Sequence, residues 1–244
     1  MNRKTKNRQK RPHRAISENT KPKTNIFGFD FEKPFEYENG FYLTSATSRI
    51  AKSVAQYELY KKIVNLPGDV VECGVFKGAS LIRFATYREM LESQFSRKIL
   101  GFDVFGKFPD NVSLAADKDF IKKFETESGD GIPKEELQRV LEHKNFQNIV
   151  LVEGFLPETF SYFEENSGSQ IALLHIDVDT YEATKACLEH LYKMVVKGGI
   201  IVFDDYGQVA GATQAINEYM QNIGTISNLN KIPYYSIPAY FVKE

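Results

Sequence analysis

The chain has 244 residues, 42% hydrophobic and 26% charged, a balance that excludes wholesale disorder and leaves room for one large domain with a buried core. Its 31 Lys and Arg nearly match 32 Asp and Glu, yet nine of the basic residues crowd into residues 1–23 beside Glu18 alone; the rest carries 22 against 31 and is a poor general polyanion binder. Two cysteines exclude a disulfide framework, and no apolar run approaches the roughly 18 residues of a membrane helix or supplies a signal-peptide core, so a soluble protein with no membrane span and a cytoplasmic location is expected.

Residues 1–25 read as a basic disordered tail, with a contact to nucleic acid or an anionic membrane surface as the alternative. Residues 26–244 read as one domain without internal repeats. Ser48–Val64 has helical periodicity, with Ile50, Val54, Tyr57, Lys61 and Val64 along one side, and it ends before Pro67-Gly68. Asp69–Cys73 is a short apolar strand. A helix from about Ala79 carries Leu81, Ile82, Ala85 and Met90, and Lys98–Phe102 is a second strand.

Residues 104–145 are polar and broken by Gly and Pro; they suggest two helices, around Asp119–Glu127 and Lys134–Lys144, in a lid or substrate-side insertion. Asn148–Val152 and Ala172–Ile176 are further strands. A helix over Tyr181–Val196 stops at Gly198-Gly199, ahead of a strand at Ile200–Phe203. A helix around Gln208–Gln221 then precedes two strands, near Ile226 and over Tyr234–Val242. Short apolar strands separated by helices predict an α/β fold, a parallel sheet covered on both faces, here with an antiparallel hairpin at its edge.

Open parallel sheets bind ligands beyond the carboxyl ends of their strands. The first strand runs into Glu72-Cys73-Gly74-Val75-Phe76-Lys77-Gly78-Ala79-Ser80, a turn and helix start able to approach a ligand closely. It lacks the third glycine of the dinucleotide fingerprint. Asp103, ending the second strand, has the chemistry to accept from both hydroxyls of a ribose, and Glu153-Gly154-Phe155 at the third could frame an adenine.

The fourth strand ends in His175-Ile176-Asp177-Val178-Asp179-Thr180-Tyr181 and the fifth in Phe203-Asp204-Asp205-Tyr206-Gly207. Carboxylates gathered at neighbouring strand ends repel one another unless a cation neutralises them, and an all-oxygen set suits a hard ion such as Mg²⁺. His175 reads as a hydrogen-bonded core residue, with a catalytic base as the alternative.

VVECGVFKGAS and LLHIDVDTYEATKACLEHLYKMVVKGGIIVFDDYG resemble the macrocin O-methyltransferase family of class I methyltransferases, over roughly residues 40–244. The resemblance implies a Rossmann-like sheet of order 3-2-1-4-5-7-6, S-adenosylmethionine and Mg²⁺, and methyl transfer to a sugar hydroxyl of a deoxysugar, nucleotide sugar or glycan. Carried over, it places Glu72, Gly74, Gly78 and Ser80 at the methionine end of the cofactor and Asp103 on its ribose, and Gly154 joins them from the strand-end reading above. Asp177, Asp204 and Asp205 fall on the metal positions, with Asp179 in the motif but less defined in role; in the mechanism this suggests, Asp177 accepts the hydroxyl proton or positions the hydroxyl while solvent takes it. A homo-oligomer is compatible with the resemblance. The sequence departs from the family in Val178, where Gly is common, and in the length of the 104–145 segment. Other acceptors (catechol-like or amide), and a non-catalytic binding protein, are the alternatives. A nucleic-acid methyltransferase fits poorly with the acidic body and the lack of an Asn-Pro-Pro-Tyr motif.

Overall fold

The computed structural model describes residues 25–109, 112–160, 170–225, 228–233 and 235–244. The expected tail lies outside the described residues except for Asn25, as does Ile226. The chain opens with a small antiparallel pair, β1 (Asn25–Ile26) and β2 (Phe29–Asp30), and helix α1 (Pro34–Thr44), none of which the periodicity announced. Helix α2 (Thr47–Ile63) leads into β3 (Asp69–Cys73), α3 (Ala79–Leu91) and β4 (Ile99–Asp103). Helices α4 (Ala115–Ser128) and α5 (Lys134–His143) precede β5 (Ile149–Glu153) and β6 (Ile171–Ile176). Helix α6 (Tyr181–Leu191), a 3-10 turn, β7 (Val195–Phe203), α7 (Ala210–Asn222), β8 (Asn230–Ile232) and β9 (Tyr235–Val242) complete the chain.

The main sheet has seven strands in the order β5-β4-β3-β6-β7-β9-β8; numbered within the sheet, that is 3-2-1-4-5-7-6. β5 to β7 pair in parallel through β4, β3 and β6, and β9 is antiparallel to both β7 and β8. Alternation along the strands sends their apolar side chains to two cores. Val70, Ile99, Leu173, Ile200 and Val202 meet α2, α3 and α5 on one face. Val71, Leu100, Phe102, Leu174 and Phe203 meet α6 and α7 on the other. Both faces are therefore dry, as a parallel sheet requires.

Two expectations need correction. The buried side of α2 is Ala55, Gln56, Leu59, Tyr60 and Ile63, and Val54 is exposed. Of the expected stripe, Tyr57 and Val64 pack against the core, but the face turned fully inward also carries polar residues, Lys52 at the cavity described below and Gln56, which accepts from Arg83, so apolar periodicity did not mark it. Likewise α6 ends at Leu191, and Gly198-Gly199 lie inside β7. There the register against β6 shifts between Ile171 and Leu173, and Gly198 has φ +79. A Cβ on Gly199 would meet Val195 Cγ1 at 2.7 Å and Val196 O at 2.8 Å, so the glycines permit an irregularity within the strand and do not stop a helix.

A buried guanidinium ties the entry to the sheet. Arg97 forms an ion pair with Glu92 at 2.7 Å and donates to the carbonyls of Gly68, Ile63 and Leu66 at 2.7, 3.1 and 3.1 Å. Arg97→Met is expected to cost about 3 kcal/mol, read as a lower urea midpoint, because it leaves the buried Glu92 carboxylate without its counter-charge, with the Tyr60 hydroxyl still donating to it, and removes a donor from three carbonyls. An unchanged midpoint would show that the network contributes nothing net.

Candidate active site

The parallel strands end side by side. Backbone bonds continue past them, from Gly74 N to Phe102 O (2.9 Å), Asp177 N to Cys73 O (2.9 Å) and Asp204 N to Ile176 O (3.0 Å). The residues just after each strand therefore face one cavity, of about 410 Å³, within the range of small-ligand sites.

One side of the cavity is the loop from β3 to α3. Gly74 and Ser80 line it. Asp103 organises this loop: its Oδ2 accepts from Val75 N (2.7 Å) and Phe76 N (2.9 Å), and its Oδ1 accepts from Phe105 N (2.6 Å). Phe76 and Phe105 have φ +51, a region disfavoured for side chains, and these bonds to a carboxylate offset the strain. Burial pushes the Asp103 carboxyl up, against the pull of those N–H groups. The first intrahelical bond of α3 runs from Ile82 N to Gly78 O, which leaves the N–H groups of Ala79 and Ser80 at the cavity wall.

Three of the residues expected at the cofactor lie off the lining. Gly78 packs against Leu137, Gly154 donates its N–H to Asp103 O at 3.0 Å while its neighbour Phe155 reaches the cavity, and Glu72 is wholly buried behind it.

The floor is acidic. Asp177, Asp179, Asp204 and Asp205 all line it. Glu72 Oε1 contacts His175 Nδ1 at 3.1 Å, and His175 Nε2 faces Asp204 Oδ1 at 3.5 Å, long for a hydrogen bond but close enough for strong attraction. Burial opposes charge on His175, yet Asp204 and Glu72 at its two nitrogens outweigh it and lift the imidazole to about 10. Both ring nitrogens therefore face carboxylates, which fixes the ring in the core behind the floor. Asp204 is penalised by burial but held below the usual carboxylate range by His175 and Lys52. Burial and neighbouring charge raise the others: Asp177 to about 6, Asp179 to about 8, and Asp205 well above its ordinary value.

The most compact group of potential ligands among the described residues is His175, Asp177 and Asp204, with atoms within 4.8 Å of one another. Asp205 lines the same floor, but its Oδ2 accepts from Asp179 N at 3.0 Å. Asp179 is not reached by regular strand alternation, since β6 ends at Ile176 and Asp179 has φ +61.

Two features were invisible in the sequence. Lys52, from α2, reaches into the floor, with Nζ 2.5 Å from Asp204 Oδ2 and 3.8 Å from Asp177 Oδ2. The only hint was polar residues at Arg49, Lys52 and Gln56, spaced along one helical side. Asp117, buried in α4, accepts from Tyr181 N at 2.8 Å and packs against Gly211, joining the 104–145 segment to the starts of α6 and α7.

Residues 51–242 match the model of the macrocin-O-methyltransferase (TylF) family. The chain belongs to that family. Among curated members, it is 30% identical over 161 residues to demethyldecarbamoylnovobiocin O-methyltransferase of Streptomyces niveus, covering 64% of this chain and 59% of that one. It is 26% identical over 172 residues to 8-demethyl-8-(2,3-dimethoxy-alpha-L-rhamnosyl)-tetracenomycin-C 4'-O-methyltransferase of Streptomyces olivaceus, covering 68% and 63%. The match thus spans under two thirds of the length of these relatives. Among solved structures, calicheamicin methyltransferase is similar with a TM-score of 0.69 at 28% identity, covering 85% of this chain and 84% of that one. Among the described residues no helix is long and apolar enough to cross a membrane.

Proposed function

We propose that the chain is an S-adenosylmethionine-dependent O-methyltransferase acting on a sugar hydroxyl. The observation that carries this reading is the convergence of the Gly74 loop, Asp103 and the acidic floor on one cavity. Family membership supports methyl transfer, and the rhamnosyl group in one relative's name supports a sugar acceptor.

The residues fit the cofactor. Free N–H groups at the start of α3 suit its carboxylate, and Asp103, with three N–H partners, keeps acceptor capacity for a ribose hydroxyl. S-adenosylmethionine supplies a methyl group already activated on a sulfonium. The protein then positions the acceptor, an effect that reaches about 7–11 kcal/mol in well-oriented systems. Asp177 faces the cavity as the group that takes the hydroxyl proton.

The floor also fits a divalent cation: the four carboxylates of Asp177, Asp179, Asp204 and Asp205 crowd it, an all-oxygen set suited to a hard ion. Asp177, Asp204 and Asp205 would hold Mg²⁺, which would supply Lewis acidity toward an acceptor hydroxyl. Residues 104–145 form the acceptor-side wall in this reading, since Phe108, Val112 and Phe124 line the cavity.

Calorimetric titration with S-adenosylhomocysteine tests the proposal, with a screen of sugar, catechol and amide acceptors to follow. Saturable binding and turnover of a sugar are expected; no binding at millimolar ligand would overturn the reading. Asp103→Ala is expected to weaken that binding about tenfold or more, because a charge-assisted contact and the loop it shapes are lost together. Equal affinity would remove Asp103 from the cofactor site.

A further inference from the structure

We infer that Lys52 is a built-in counter-ion that competes with a divalent cation for Asp177 and Asp204; the inference rests on the reading of those acids as a metal site. The Lys52 side chain is only 14% exposed, and its Nζ lies 2.5 Å from Asp204 Oδ2 and 3.8 Å from Asp177 Oδ2, two acids that line the cavity floor as Lys52 does. Both acids belong to the compact group described above. The other oxygen of Asp204 lies 3.5 Å from His175 Nε2, on the side away from Lys52, so the ammonium of Lys52 is the counter-charge at Oδ2.

Mg²⁺ needs carboxylate oxygens at about 2.0–2.1 Å in a near-octahedral shell. An ammonium hydrogen-bonded to one of those oxygens uses its lone pair and sets a positive charge beside the ion. Loading the cation thus requires Lys52 to withdraw, and its flexible four-carbon stem at the cavity wall allows that. Lys52 keeps the acidic floor assembled before loading and weakens the affinity of the floor for metal.

The test uses Mn²⁺ as probe, with free ion counted by electron paramagnetic resonance and heats by calorimetry, on the full chain. Wild type, Lys52→Met, Lys52→Gln and Lys52→Gln combined with Asp204→Asn are compared, each checked for folding by circular dichroism melting. The two neutral variants are expected to bind Mn²⁺ about tenfold or more tightly than wild type, since relief of even part of the ammonium–dication repulsion exceeds one decade. The double variant is expected to lose the gain. Lys52→Gln retains a hydrogen-bond donor toward Asp204 and serves if Lys52→Met fails to fold. Affinity equal to or below wild type in the neutral variants overturns the inference and leaves the metal site standing. No Mn²⁺ binding by any variant, with S-adenosylhomocysteine still bound, overturns the metal reading and this inference together, and leaves the methyltransferase reading intact.

Discussion

Asp204→Asn is expected to lower turnover about a thousandfold, the scale on which charge-stabilising groups act, while S-adenosylhomocysteine still binds. Asp204 stands between Lys52, at 2.5 Å, and the His175 ring, at 3.5 Å. Removing its charge leaves the buried Lys52 ammonium facing a neutral amide, while Asp103 and the start of α3 are unaltered. Breaking a buried pair costs about 3–5 kcal/mol, so the variant should also melt at lower temperature. Turnover and melting are therefore measured together, with rates taken well below the transition. A folded variant that turns over within tenfold of wild type would remove Asp204 from the chemistry.

Gly74→Ala is expected to destabilise by at least about 3 kcal/mol and to abolish ligand binding, because overpacking and a left-handed side chain each carry a penalty of that order when summed. Gly74 has φ +88, and a Cβ there would stand 1.7 Å from Asp177 O and 2.6 Å from Asp177 C. Those atoms are backbone and cannot rotate away. The β3 loop would have to part from the β6 loop, separating the expected cofactor wall from the acidic floor. A urea midpoint within experimental error of wild type would mean that the two loops are less tightly joined than this geometry requires.

The strands were legible because each is a short apolar run bounded by turns, and Asp69–Cys73 has the bounds its residues suggest. The gathering of Asp177, Asp204 and Asp205 followed from parallel strands ending at a common edge. What periodicity cannot supply is partnership across long separations. Lys52 and Asp204 are 152 residues apart, and nothing local to either announces the other. Nor does local pattern identify a buried acid such as Asp117, whose value lies in two helix starts distant in sequence. The β-branched start of β7 has no local mark because the apolar stripe of α6 runs at helical spacing to Met194, and pairing with β6 draws Val195 into the sheet. Glu72 and His175 illustrate a further limit: both sit within apolar strands, and only the fold shows that they face each other, fully buried and 3.1 Å apart, behind the floor.

The placement of β9 bears on how the chain matures as it is synthesised. Residues 235–242 occupy a slot between β7 and β8, both of which precede them in sequence. Until that segment leaves the ribosome, β7 is an open edge, bearing unpaired N–H and C=O groups beside the acidic floor. Substitutions that slow the docking of β9, on either side of the Val202–Tyr240 and Phe203–Ala239 pairs, would prolong that exposed state and favour aggregation of nascent chains more than they would alter the finished site.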